Sequence, residues 1–456
     1  MEYTNMSFLY DFAFMSLLLI IAQFLRSRIK FLQMFYIPAS VLAGLMGLVL
    51  GPQFLNVIPW SGKIGSYAYM LVCVLFGGLF LGKKDKTNVK QILTKVGDSF
   101  CVNMGAEFFC FGIALLVGGA LMKILFPNVF TEIALLMPSG FCGGHGYAST
   151  IGTALNNSLG REDGVVLGQT FATVGLLVGL FVGIACINYA TRHGGTRLVE
   201  KAESLPEECR TGIVPVGKRN SMGEETINPM SMDPLAFHLA LTLTATLCGY
   251  KFYDFYKQFL PNVELPVMCL AMIFGVIINT IIGHTRFKDS IDEHVEGRIG
   301  SMVTDYLVGF GVASISISIV LEFAGPILVL CVLGMLTSLF LVFVVGQKLF
   351  RNFWFERSIF VFGWTTGVVA IGVTLLPEGK SGTLNDYGYS YTLQSVIEVF
   401  IIAFTPILTV SMGCIAVGVI ETGIAVVLFL ICAKCFGVHN EKMNELREGE
   451  AEVISK

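Results

Sequence analysis

The apolar positions of this chain neither alternate nor mark one face of a helix. They run in blocks near 8–25, 36–51, 65–82, 98–122, 163–190, 235–257, 266–283, 302–322, 325–349, 393–412 and 413–436. A helix needs about 20 apolar residues to cross a bilayer, so these eleven blocks read as candidate spans. Two more apolar stretches, 131–157 and 358–376, are interrupted by glycine and polar residues. In lipid every backbone polar group must be satisfied within the protein, so glycine-broken backbone belongs outside the membrane or in an element lining a cavity.

Basic residues decide how the blocks thread. Arg26, Arg28 and Lys30 follow the first block, Lys83, Lys84, Lys86 and Lys90 the third, and Arg192, Arg197 and Lys201 the fifth. The positive-inside rule then places the N-terminus outside and the loops 26–30, 83–97 and 191–234 in the cytoplasm. The fourth and fifth spans agree with this only if 131–157 enters and leaves on one side. Its arms before Pro138 and after Gly146 are about eight to ten apolar residues, roughly 12–15 Å each at ~1.5 Å per residue. Neither crosses a hydrocarbon core of ~30 Å, but together they reach the midplane and return. The expectation is a re-entrant hairpin.

Composition narrows the class. Only 14% of residues are charged and the mean hydropathy is +0.73, which excludes a soluble globular protein. The net charge of −3 leaves no electrostatic footprint for a nucleic-acid partner. Most of the twelve cysteines lie inside apolar blocks, where they act as small hydrophobes, so no disulfide framework is implied. Cys432 and Cys435, with His439 beyond, lack the second ligand pair that a metal site needs. The N-terminal residues, with Glu2 and Asp11 and no basic run, do not resemble a cleaved signal.

The chain also repeats itself. IPASVLAGLMGLVLG in the second block pairs with LPVMCLAMIFGVIIN in the seventh, matching Pro38 to Pro266, Ala43 to Ala271 and Gly47 to Gly275. IGSYAYMLV pairs with IGSMVTDYLV, and HGYASTIGTAL (145–155) with TGVVAIGVTLL (366–376), in the same order. Five spans and a hairpin per half invert the second half, and inverted repeats with broken elements are typical of secondary transporters. The expected architecture is an all-α polytopic membrane protein of two inverted five-span repeats plus an extra C-terminal span. Its parts are 1–190 with hairpin 131–157, a cytoplasmic linker 191–234, 235–412 with hairpin 358–376, and 413–456 as last span and polar tail.

Candidate chemistry sits at the two tips. In PSGFCGGHGYAST, Gly143, Gly144 and Gly146 free the backbone to approach a ligand, and His145 reads as a substrate contact. N–H groups at a helix start attract anions, while exposed carbonyls with Ser139, Ser149 and Thr150 suit Na⁺. The second tip is Gly363–Gly367, with Thr365, Thr366 and Gly367 toward substrate and Trp364 as tip residue or interfacial anchor. Ionisable residues inside spans are functional candidates by default. Asp305 and Glu107 are expected as ion ligands, Glu398 is a further candidate, Asn103 an interhelical hydrogen-bonding residue, Glu322 an interface residue and Glu421 a packing or subunit contact.

GGHG before the fifth span, FERSIFVFGWTTGVVAIGVTLL (355–376) and the two inverted halves resemble the bacterial sodium/glutamate symporter family. The resemblance covers most of 1–412. It implies a homodimeric carrier of the inner (plasma) membrane that brings glutamate inward with Na⁺ as coupling ion. It also implies an elevator, a transport domain bearing both hairpins moving against a fixed scaffold. The chain departs from the family at Tyr147, where a small or hydroxyl residue is usual, in its long insert, in the eleventh span and in the unpaired glycines of the second tip. The nearest alternative is a Na⁺- or H⁺-coupled symporter of another dicarboxylate or organic anion. An intramembrane protease would need a GxSG or HExxH motif inside an apolar block, and a channel a filter such as TVGYG; HExxH and TVGYG are absent, and the GxSG string of the chain, GKSG at 379–382, lies in a polar stretch outside the apolar blocks.

Overall fold

A computed structural model describes residues 5–34, 37–83, 89–192, 212–219, 221–260, 265–285, 287–350, 354–367 and 382–436. Every regular element among them is helical. In chain order these are α1 (Asn5–Arg28), α2 (Lys30–Met34), α3 (Ala39–Leu50), α4 (Ile64–Gly78), α5 (Val89–Ile113), α6 (Gly119–Leu125), α7 (Ile133–Leu159) and α8 (Gly164–Arg192). There follow α9 (Pro234–Lys257), α10 (Val267–Gly283), α11 (Glu293–Ala313), α12 (Ile317–Glu322) and α13 (Ala324–Phe340). The last are α14 (Gln347–Leu349), α15 (Trp354–Gly367), α16 (Gly382–Met412) and α17 (Cys414–Ile431).

Ten of the eleven apolar blocks fall on a single helical run each, and 302–322 is divided between α11 and α12 at Ser314–Ser316. Among the described residues, six helices are long and apolar enough to cross a membrane: Met6–Arg28, Gly97–Leu125, Gly164–Ile187, Pro234–Lys257, Ala324–Leu349 and Cys414–Cys435. Ala39–Leu50, Ile64–Gly78, Val267–Gly283 and Phe400–Met412 are apolar but shorter. Large apolar side chains such as Ile20, Phe24 and Ile124 are more than half exposed, which water would penalise and lipid would not. Among the described residues, three of the long helices contain π-helical segments: Ala114–Gly118 between α5 and α6, Leu341–Gly346 after α13 and Cys432–Phe436 after α17. The first lies where α17 presses closest, with Gly418 against Leu116.

The helices form two groups. In one, α3 packs on α1 and α11, α10 on α9 and α4, and α4 on α11. In the other, α8 packs on α7 and α15, α5 on α16 and α17, and α16 on α7. They meet chiefly where α4 and α11 touch α7 and α8. Pro38 and Pro266, paired in the repeat, are both helix N-caps in extended conformation, and Ala43 and Ala271 are both fully buried. Gly44 rests on Gly309 and Val312 of α11 and Gly275 on Gly77 of α4, so small residues let both pairs of helices approach closely.

Polar groups in this interior are paired across long sequence separations. Asp11 accepts from the Ser61 backbone N–H (3.1 Å), the Ser61 hydroxyl and the Tyr67 hydroxyl (2.8 Å). Asp98 on α5 pairs with Arg357 on α15 at 2.7 Å; Arg357 also donates to Ser99 Oγ at 3.0 Å and stacks on Phe350. The expected hairpin 358–376 is described only to Gly367, and 193–211, His439 and the tail lie outside the described residues.

Candidate functional site

The helix α7 carries its own interruption. Gly144 has φ 59° and ψ −154°, a conformation nearly closed to residues with a Cβ, and it divides α7 into a first arm, 133–143, and a second, 145–159. Beside it the chain is crowded: a Cβ at Gly143 would overlap the Tyr147 ring, and one at Gly146 would stand 2.8 Å from Val72 of α4. A helix interrupted this way loses bonds on both sides, leaving free carbonyls at the end of one arm and free N–H groups at the start of the next.

Residues of α8 line the break. His145 Nε2 lies 3.1 Å from the Thr173 hydroxyl, and Gln169 Nε2 donates to the His145 carbonyl (3.1 Å) and to the Ser149 hydroxyl. Gln169 Oε1 has no hydrogen-bond partner although Gln169 is fully buried. Gly311 of α11 faces the same two side chains: a Cβ there would fall 2.5 Å from Gln169 Oε1 and 2.7 Å from the His145 ring.

The second tip comes to the first. The Thr365 carbonyl oxygen at the end of α15 lies 3.9 Å from Cys142 Sγ and 3.4 Å from the Ser338 hydroxyl. The Thr366 carbonyl faces Gly175 of α8, leaving no room for a Cβ there. Gly367 is the last described residue of α15 and is buried. The structure therefore brings together Gly143, Gly144, His145, Gly146, Ser149, Thr365, Thr366 and Gly367.

Other expected ligands are occupied or distant. Ser139 donates to Leu135 and Leu136 carbonyls, Thr150 to the Gly146 carbonyl, and Thr366 to that of Phe362. Asp305 is exposed on α11 and bonded by Ser40, on a face other than the one Gly311 turns to the break. Glu107 is buried on α5. It is one turn from Cys110, whose thiol hydrogen-bonds Cys142 beside the break. Asn103 makes no interhelical hydrogen bond; neither amide atom has a partner. Glu421 accepts from Thr405 across the α16–α17 contact (2.8 Å), a packing role. Glu322 is exposed, and Trp364 is buried against Phe360 rather than standing at an interface.

A buried glycine break beside a second buried helix and an apolar exterior fit a membrane protein that binds a ligand at depth. The family model described as sodium/glutamate symporter matches residues 4–377. The chain belongs to the sodium/glutamate symporter family. Comparison with curated proteins finds no match. Membership makes this symporter a multi-pass membrane protein and a Na⁺-coupled transporter rather than an enzyme. Sequence reasoning about the symporter missed Gln169 and Thr173. Their signal was two polar side chains one turn apart inside an apolar block, GQTFAT. It also missed the role of Tyr147, whose hydroxyl donates to Glu398 at 2.5 Å across 251 residues of sequence.

Proposed function

We propose that the protein carries glutamate inward with Na⁺ across a bacterial plasma membrane, binding it between the break in α7 and the end of α15. The observation that carries this is the buried, left-handed Gly144 break, with Cys142 Sγ two residues before it standing 3.9 Å from the Thr365 carbonyl. The free N–H groups that open the second arm, with the helix behind them, receive a substrate carboxylate. The orphaned carbonyls that end the first arm, with the Ser149 hydroxyl, offer oxygen ligands to Na⁺. His145, held by Thr173, contacts the substrate from the break itself. Asp305, on another face, is not needed for this reading.

The hairpin reading is supported by the sense of the arms. The second arm runs antiparallel to α8, with Gly152 beside Val165 and Ala148 beside Gly168. The first arm follows α13, Ala134 near Leu330 and Met137 and Phe141 at Gly334. The α13 chain runs in the same sense as α8, since Phe141 also meets Gly175 and Phe343 meets Tyr189. A reversal at Gly144 reconciles these directions. The two inverted repeats are supported by matched contacts, α3 with α11 as α10 with α4, and α15 with α8 as α7 with α16. The group holding α7 and α15 moves as an elevator against the group of α1, α3, α4 and α9 to α11, and a homodimer fixes the latter. The test is uptake of glutamate into proteoliposomes under an inward Na⁺ gradient, competed by aspartate, malate and citrate. Uptake that ignores Na⁺ would overturn the coupling, and stronger inhibition by malate or citrate would move the substrate to another dicarboxylate.

A further inference from the structure

Behind the break stands a group of polar side chains that substrate binding at the tips does not use. Glu107 is 1% exposed, and neither carboxylate oxygen has a hydrogen-bond partner. One turn earlier on the same face of α5, Asn103 is equally buried, with both amide atoms unpartnered. Glu398 on α16 accepts from Tyr147 through Oε2, while its Oε1 has no partner. Both carboxylates adjoin the tip: Glu107 through the Cys110–Cys142 thiol contact, Glu398 through Tyr147, three residues past Gly144.

Among the described residues, the other titratable groups bearing on the pair are Cys110 on α5, Cys142 and Tyr147 on α7, and Glu421 on α17. None is a cation. The Arg357 guanidinium is committed to Asp98, which precedes Glu107 by nine residues, about 13 Å along α5 at ~1.5 Å per residue. Two buried carboxylates without a countercharge cannot both stay ionised in a medium this apolar. A metal ion would need more ligands than are gathered here, and no cluster of three or more His, Cys, Asp or Glu suited to one occurs among the described residues. A proton needs only one oxygen.

We propose that Glu107 and Glu398 form a proton-binding pair, with Asn103 one turn before Glu107 on α5, that takes up and releases H⁺ as the broken helix cycles. A proton adds to a carboxylate oxygen when the pair is presented to one side and leaves from the same oxygen on the other. Tyr147, bonded to Glu398 and three residues past Gly144, ties that event to the tip. This deepens the Na⁺-symport reading, on which the coupling arm of the test rests.

The first arm needs no transport. Infrared difference spectra of the purified full chain, between acid and alkaline buffer, should contain a protonated-carboxyl band that titrates, weakened in Glu107→Gln and Glu398→Gln. Adding Na⁺ at fixed pH should leave it in place. A band that does not titrate or survives both substitutions would overturn the proposal, and one erased by Na⁺ would make this a Na⁺ site. Tyr147→Phe keeps both carboxyls and should move the titration, which covers the case of Gln variants that do not fold. In the second arm, proteoliposomes loaded with a pH dye and clamped in voltage should acidify as glutamate enters. Glu398→Gln should take up glutamate without acidification. Wild-type uptake with no acidification would overturn the proton coupling while Na⁺ symport stands. Absence of uptake would sink the symport reading, and the infrared result would still decide whether the pair binds protons.

Discussion

Replacing Gly144 by alanine tests the site at its narrowest point. With φ 59° and ψ −154°, Gly144 occupies a region where a Cβ costs about 1–3 kcal/mol. Alanine can relieve that strain only by changing the angle between the arms, which moves the second arm's N–H groups relative to the first arm, whose Cys142 meets the Thr365 carbonyl. If substrate requires the present angle, binding is penalised by the same about 1–3 kcal/mol, roughly 5- to 150-fold in Kd. Gly160→Ala is the control. Its φ of 64° and ψ of 35° also strain an alanine, by about 1–2 kcal/mol, but no atom lies within 4 Å of the added carbon and it ends the arm far from the break. Both variants should unfold at lower temperature. Only Gly144→Ala should lose the extra stabilisation that glutamate and Na⁺ confer on the purified protein, and with it uptake. An undiminished glutamate-induced shift in Gly144→Ala, beside a lowered baseline, would mean that the glycines serve packing alone and would refute the reasoning.

Arg357→Met should destabilise the protein by about 3–5 kcal/mol, because it leaves Asp98 charged and buried, and adding Asp98→Asn should recover much of that loss in thermal unfolding. Asp11→Asn weakens acceptors for Ser61 and Tyr67 and should cost about 1–3 kcal/mol while glutamate affinity holds, measured by the same two assays. Thr173→Val removes the hydroxyl that holds His145, so affinity for glutamate should fall about five- to tenfold with little change in folding, read by titration of the thermal shift. Met230, 96% exposed in the central insert, should after Met230→Cys react with an impermeant thiol reagent only in inside-out vesicles, in a chain whose exposed Cys435 is serine; labelling of intact cells would reverse the orientation.

Much of the fold was legible because hydropathy and chain breaking are local. A long apolar run has one inexpensive fate in lipid, so the apolar blocks became helical whatever their neighbours, 302–322 as two helices. Glycine marked the break for the same reason: GGHG announces a backbone that must leave helical geometry, and Gly144 does. Two helix starts were legible through Pro38 and Pro266, each fixing the start of its helix by its own ring. What the sequence could not decide was which helix faces meet. Asp305 and Glu107 look alike in sequence, each a carboxylate in an apolar block. Packing exposes Asp305 beside Ser40 and buries Glu107 behind the tip. Tyr147 with Glu398, Asp98 with Arg357, and Gln169 with His145 exist only once distant helices are rotated against one another. The energy of such a pair depends on a distance between faces, and a linear chain carries no distance.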